Sequence, residues 1–223
     1  MNIALIGYGK MGHMIEQVAL SRGHNVVCRI DKDNQEDFAS EAFASADVAI
    51  EFSTPMTAVD NIHKAWQAGV GVVSGTTGWQ SSLPELRKEL ETNGKALLWS
   101  SNFSVGVNLF FALNKRLAEL MAPYGDYKVS MTEIHHIHKL DAPSGTAVTL
   151  ADDIAFPKEK ITSVREGEVP GTHFVEYESG VDKIEIRHEA KSREGFALGA
   201  VMAAEFLCGK TGFYTMRDVM GNL

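Results

Sequence analysis

The sequence predicts an α/β protein in two lobes: a doubly wound parallel sheet, then an α+β lobe built on an open mixed sheet. Three observations carry this prediction. Short apolar runs alternate with helix-period segments up to residue 104, and a glycine turn follows the first run directly. From residue 126 the pattern changes to longer, period-two strands.

Residues 2–6 are a continuous apolar run ending in Gly7-Tyr-Gly-Lys-Met-Gly12. Helical spacing follows through Met14, Ile15, Val18 and Ala19 and stops at Arg22-Gly23. Residues 24–30 form the next strand and deliver Asp31-Lys32. Strand, glycine turn, helix, strand and terminal acid make up the dinucleotide fingerprint, so the first lobe reads as a Rossmann dinucleotide-binding lobe. Gly7 permits the tight turn, Gly9 lets the backbone approach a pyrophosphate, and Gly12 lets helix and strand pack closely. Tyr8, Lys10 and Met11 complete the turn. Asp31, 19 residues beyond Gly12, suits a ribose hydroxyl and favours NADH. The adjacent Lys32 suits the 2′-phosphate of NADPH, so the expected cofactor is NADH and/or NADPH.

The alternation continues. Strands are predicted at 47–52, 70–73 and 96–99, with helices at 58–68 and 83–93. In a parallel sheet the ligand sits at the carboxyl ends of the strands, where Ser53-Thr54, Gly75-Thr76-Thr77 and Ser100-Ser101-Asn102-Phe103 fall. These residue types suit backbone and hydroxyl contacts to a nicotinamide and its ribose.

A long helix is predicted over 108–121, with Leu109, Leu113, Leu117 and Leu120 as its apolar stripe. A strand over 126–135 runs into Glu133-Ile-His-His-Ile-His-Lys-Leu-Asp-Ala-Pro-Ser-Gly-Thr-Ala147, which packs three histidines, a lysine, two carboxylates and a Ser-Gly-Thr turn into fifteen residues. Proton donors, cationic anchors and small backbone donors at this density suit a carboxylated substrate and proton chemistry. Ser144 or Thr146 is expected to cap a helix starting near Ala147, yet capping leaves His135, His136 and Lys139 unexplained. Neighbours on a strand point to opposite faces. Either the strand breaks there, or one of His135 and His136 serves the site and the other a sheet or an interface. His135, His136 and His138 lack a helical pair or a cysteine partner, and no metal is expected.

Residues 158–171 read as a mobile loop, 173–178 and 183–189 as an antiparallel pair, and 196–207 as a helix, before a closing segment on the first lobe. The predicted dinucleotide-binding domain is therefore 1–104 with 194–223. The substrate-binding and oligomerisation domain is 105–193, joined by two hinge strands suited to closure over a substrate.

The net charge of −8 and the absence of a basic run exclude nucleic acid as an expected partner. Cys28 and Cys208 show no metal or redox spacing, and the first apolar run is cut by glycines. A cytoplasmic protein with no membrane contact is expected.

The 133–147 segment resembles the signature of the 4-hydroxy-tetrahydrodipicolinate reductase (dihydrodipicolinate reductase) family. The glycine turn, Gly75-Thr-Thr-Gly78, Asn102-Phe-Ser-Val-Gly106, the stretch from Ser192-Arg193 to Gly199-Ala200, and Met216-Arg-Asp-Val219 extend the resemblance along the chain. It implies NAD(P)H-dependent reduction of a cyclic dicarboxylate with loss of water, in diaminopimelate and lysine biosynthesis. It further implies His135 as proton donor/acceptor and Lys139 as proton donor, with His136, Ser144, Gly145 and Thr146 around the substrate carboxylates. The glycine turn, Asp31 with Lys32, Gly75 to Thr77 and Ser100 to Phe103 would hold the cofactor, in a homotetramer assembled through the second lobe's sheet. The alternatives are an aspartate or homoserine dehydrogenase-like enzyme, which the run from Lys139 to Thr146 does not fit, and a dinucleotide-binding sensor without catalysis.

Overall fold

The computed structural model describes residues 1–221. It consists of two compact units, Val105–Gly195 and the remainder, Met1–Ser104 with the chain from Phe196 onward.

The first unit begins with β1 (Asn2–Ile6), α1 (Lys10–Ser21), β2 (Asn25–Ile30), a 3-10 turn (Gln35–Ala39) and α2 (Glu41–Ala44). It continues with β3 (Val48–Glu51), α3 (Ala58–Gln67), β4 (Gly71–Ser74), α4 (Leu83–Asn93) and β5 (Ala96–Trp99). The turn at 35–39 and α2 carry too few residues for a periodic signal, so the sequence does not announce them. They are held by local contacts: Phe38 stacks edge-on to Phe43 at 5.1 Å, and Ser40 caps α2 by accepting the Phe43 N–H at 3.1 Å.

The second unit holds α5 (Val105–Met121), β6 (Lys128–His135), α6 (Gly145–Asp153), β7 (Thr162–Arg165), β8 (Thr172–Glu178) and β9 (Lys183–Glu189). Its sheet runs β7-β6-β8-β9, with β7 parallel to β6 and the other pairs antiparallel. Two expectations are corrected here. The segment 158–171 is not a loop throughout: it opens with a 3-10 turn (Lys158–Lys160) and then β7, paired with β6 from Thr132↔Thr162 to His135↔Arg165, and 166–171 lies outside regular structure. An edge strand of four residues that faces water on one side has no apolar alternation to reveal it. The leucine stripe of α5 is also not its core face. Leu109, Leu113 and Leu120 are exposed, while Val107, Phe110, Asn114 and Met121 are buried. A fully buried asparagine disguised the true stripe; its Nδ2 donates to Leu150 O at 3.0 Å.

The chain then returns to the first unit with α7 (Glu194–Leu207), β10 (Gly212–Tyr214) and α8 (Met216–Val219). β10 adds an edge strand beside β5, so the closing segment is part of the sheet itself, ordered β10-β5-β4-β3-β1-β2 and parallel throughout. Strand alternation splits the core in two. Ile3, Leu5, Val48, Ile50, Val73 and Leu98 meet α1, α7 and α8 on one face. Ala4, Ile6, Ala49, Val72 and Leu97 meet α3 and α4 on the other. The sheet is therefore doubly wound. Its order reverses between β1 and β3, which opens a crevice at their carboxyl ends.

Candidate active site

At that crevice Gly7 takes φ +88°, and a Cβ there would stand 2.0 Å from Phe52 O. A Cβ on Gly9 would meet nothing within 4 Å, so the space beside it is open to a ligand. α1 starts after Gly9 with no side-chain cap, leaving first-turn N–H groups available to an anion. Gly9, Lys10, Met11, Gly75, Thr76 and Thr77 share the wall of one cavity of about 390 Å³ with Phe52 and Ser53. The Phe52 ring covers Gly75 so closely that a Cβ there would be 2.2 Å from Cζ. An apolar ring, free amides and a glycine cradle fit a dinucleotide.

Other expected cofactor residues stand outside this wall. Tyr8 donates its hydroxyl to Glu16, which also accepts from Arg29 Nε at 2.9 Å. Asp31 and Lys32 are exposed at the end of β2, where the Lys32 N–H donates to Asp31 Oδ1 at 2.9 Å. Ser100 Oγ accepts from the Asn102 N–H at 3.2 Å, and Ser101 is exposed. Phe103 is buried in the core, its backbone oxygen lying where a Cβ on Gly199 would come within 1.7 Å.

Beneath the cavity lies Glu51, fully buried at the end of β3. Its carboxylate accepts from Ser53 N at 3.0 Å, Ser74 Oγ at 2.6 Å and Thr76 Oγ1 at 2.9 Å, and from the Ser53 hydroxyl. The directions are set: Thr76 Oγ1 accepts the Ser53 N–H at 2.8 Å, so its own proton goes to Glu51. The Thr76 hydroxyl thus faces inward and orders the turn from below.

In the second unit one face of the sheet changes character along its length. Met131, Val175 and Tyr177 pack into an apolar core with Phe110 and Leu150. The same face continues through Glu133, His135 and His173, all buried. Register makes this possible, with Glu133 paired to His173 and His135 to Arg165. Glu133 Oε2 accepts from His135 Nδ1, so Nδ1 carries the proton and Nε2 is the acceptor nitrogen of the neutral ring. Arg165 Nη1 lies 2.9 Å from Glu133 Oε1. This is an ion pair without hydrogen-bond alignment: Glu133 Oε1 accepts no hydrogen bond, while Nη1 donates to Val164 O at 2.8 Å. Burial alone would raise the Glu133 carboxyl, but Ser163, Arg165 and His135 outweigh it and hold it below the usual range. For His135 burial dominates and lowers the ring; Glu133 opposes this, while Lys139 and Arg165 add to it. Gly171, at φ +151°, passes against Nε2, where a Cβ would stand 2.9 Å away.

β6 ends at His135, so the chain is free to turn at His136, whose Nδ1 is buried without a hydrogen-bond partner. His138 is exposed and pairs with Glu168 at 3.0 Å. Lys139 Nζ pairs with Asp141 at 2.8 Å. Ser144 is the N-cap of α6, accepting from Ala147 N at 3.2 Å, and its Oγ also meets His173 Nε2 at 3.2 Å. Gly145 and Thr146 open the first turn, with nothing within 4 Å of a Cβ on Gly145. Among the described residues Glu133, His135 and His173 come nearest to a metal-ligand arrangement, their donor atoms lying within 4.8 Å of one another. The Arg165 guanidinium already stands on that carboxylate, which makes it a poor place for a cation.

Residues 1–103 match the family model described as dihydrodipicolinate reductase, N-terminus, and residues 106–220 match its C-terminus. A 4-hydroxy-tetrahydrodipicolinate reductase of Christiangramia forsetii is 47% identical, covering 100% of this chain and 99% of that protein. The chain belongs to the dihydrodipicolinate reductase family. The Ralstonia nicotianae 4-hydroxy-tetrahydrodipicolinate reductase is 33% identical over 99% of this chain and 100% of its own length. In fold, the chain resembles a dipicolinate-bound dihydrodipicolinate reductase from Paenisporosarcina sp. TG-14. The TM-score is 0.76 at 23% identity, covering 96% of this chain and 97% of that one. As a dihydrodipicolinate reductase, the chain uses NADH or NADPH to reduce 4-hydroxy-tetrahydrodipicolinate to tetrahydrodipicolinate with loss of water. The reaction belongs to lysine and diaminopimelate biosynthesis.

The sequence alone assigns no role to Glu51, Glu133, Arg165 and His173. Glu133 was within reach, because it lies two residues before His135 and so shares its face of β6. The other three become visible only through strand pairing.

Proposed function

We propose that the reductase divides its work between the two units. The glycine turn, Asp31 with Lys32, Gly75 to Thr77 and Ser100 to Phe103 hold the dinucleotide. His136, Ser144, Gly145 and Thr146 hold the substrate carboxylates, with His135 and Lys139 as the proton-handling pair. The bound cofactor supplies hydride from its nicotinamide to a conjugated cyclic imine. Hydride addition leaves negative charge on the ring, which a proton must neutralise, and the 4-hydroxyl needs a proton to leave as water. The observation that carries this reading is the buried Glu133–His135 pair, which fixes the ring tautomer and leaves Nε2 free. Lys139, half-buried on the following loop, supplies a second N–H acid.

Dipicolinate, which the Paenisporosarcina enzyme binds, is a cyclic dicarboxylate of the same class and a suitable probe of the anchor residues. The open outer face of the second sheet, with Lys183, Glu185 and Arg187 exposed, supports homotetramer assembly through that lobe. No helix among the described residues is long and apolar enough to cross a membrane. Biosynthetic chemistry of this kind places the enzyme in the cytoplasm in our reading.

H135A and K139A are each expected to lower kcat by about 10²–10⁴-fold with NADH affinity nearly unchanged. The assay generates substrate from pyruvate and aspartate semialdehyde and follows NADH and NADPH oxidation. Full turnover in folded variants would remove the assignment.

A further inference from the structure

Arg165 is the last residue of β7, an edge strand of four residues, yet its guanidinium reaches two separate parts of the site. Nη1 stands 2.9 Å from Glu133 Oε1, the carboxylate whose other oxygen takes His135 Nδ1. Nη2 donates to Asp141 O at 2.5 Å, and Nε lies 3.4 Å from Lys139 O. The Asp141 side chain in turn pairs with Lys139 Nζ at 2.8 Å. One planar cation therefore touches both the group that orients His135 and the backbone that carries Lys139. The strand register keeps it there. Arg165 is paired with His135, the Glu166 N–H donates to His135 O at 2.8 Å, and the Ile137 N–H donates to Gly167 O at 3.1 Å.

We propose that Arg165 is the positioning residue of the reductase, setting the geometry of His135 through Glu133 and that of Lys139 through the 139–141 backbone. This rests on His135 and Lys139 being the proton-handling pair. Only a guanidinium meets the requirement, because it carries five donors in one rigid plane and never loses its charge. A lysine keeps the charge beside Glu133 but offers a single point donor, which cannot also reach two carbonyls on another loop. Charge and geometry are therefore separable by substitution. The groups that face the His135 ring are Glu133 on its own strand, Arg165 on β7, His173 on β8 and Lys139 on the following loop. Removing the Arg165 charge leaves Glu133 less opposed, so the His135 titration moves to higher pH. Replacing it with lysine leaves that titration in place.

The test compares R165K, R165A, H135A and K139A, measuring kcat, KM, NADH affinity, the pH profile of kcat and the ¹⁵N shifts of the His135 ring. R165K is expected to lose about 10²-fold in kcat, the cost of a misplacement of roughly 1 Å, with NADH affinity and pH profile unchanged. R165A is expected to lose at least as much, to shift its His135 limb to higher pH, and to regain turnover when guanidinium is added. Should R165A fail to fold, R165Q removes the charge and keeps a side-chain amide in its place. It is expected to fold, bind NADH and lose turnover. Wild-type kcat and pH profile in R165K and in R165A (or R165Q), alongside inactive H135A and K139A, overturns the Arg165 role alone. Full activity in H135A and K139A overturns the proton assignment and this role with it.

Discussion

Glu51 and Glu133 are both fully buried carboxylates, one in each unit, and they are held in opposite ways. Glu51 is surrounded by neutral donors: three hydroxyls and one backbone N–H from the ends of β3 and β4. Its oxygens are taken up by groups that give up no proton, so it works as a rigid anchor for the Ser53 and Thr76 turns. Glu133 is matched to a fixed cation and a titratable ring. Its charge is tied to a proton that can move. A buried carboxylate ringed by hydroxyls therefore organises backbone, whereas one set between arginine and histidine tunes acid–base chemistry.

The largest expected effect that sharpens this contrast lies in the titratable cluster. Burial, with His135 next to it, pushes the His173 ring down to about 3. The unfolded chain takes up a proton near pH 6.5 and the folded one does not, so stability is full above that pH and is lost as pH falls toward 3. His135 and His188 are shifted in the same direction by burial and add to the loss. The share of His173 is about 4 kcal/mol across the whole window, of which roughly 2 kcal/mol lies between pH 7 and pH 5. Urea unfolding at these two pH values should show the wild type weakening and H173Q weakening by roughly 2 kcal/mol less. An identical pH slope in both proteins would show that His173 titrates as freely folded as unfolded.

E51Q is expected to have the next largest effect. Glutamine offers one acceptor oxygen, and its amide nitrogen would face hydroxyls that now donate. A loss of about 2 kcal/mol is expected, together with weaker dinucleotide binding as the Ser53 and Thr76 turns loosen. E133Q, by contrast, should lower kcat without weakening NADH binding. If E51Q bound NADH normally and unfolded at the same urea concentration as wild type, the anchor reading would fail.

The same contrast explains what the sequence reveals. In the first unit the glycine turn, the acid after β2 and the alternating strands are local signals, and the sheet followed from them. The clustering of His135, His136 and Lys139 in the 133–147 segment is also local, whereas the roles expected of them come from the family resemblance and not from strand alternation. Arg165 and His173 are different. They join Glu133 and His135 only through pairing between β6, β7 and β8, and no spacing along the chain encodes a register. Glu51 was passed over for a related reason. A single acid at the end of an apolar strand looks like a surface terminus until Ser74 and Thr76 arrive from the neighbouring strand. Asn114 acts in the opposite sense: a polar residue on the buried stripe of α5 leaves three exposed leucines as part of the more regular pattern.

Two serine caps, one in each unit, give the smallest and cleanest comparison. Ser40 Oγ accepts from the Phe43 N–H and donates to Asp37 O at 2.7 Å, all within one local turn. Ser144 Oγ accepts from the Ala147 N–H and also meets His173 Nε2, linking the start of α6 to the sheet. Loss of either cap costs about 1 kcal/mol. S144A should cost about 1 kcal/mol more than S40A, because it also strips a buried histidine of its hydroxyl partner. In an H173Q background that excess should shrink, since the partner is already changed. Urea unfolding of the single and double variants measures the coupling directly. Equal costs for S40A and S144A would mean that the serine–histidine contact carries no weight in the fold, leaving Ser144 to stabilise it as the cap of α6 alone.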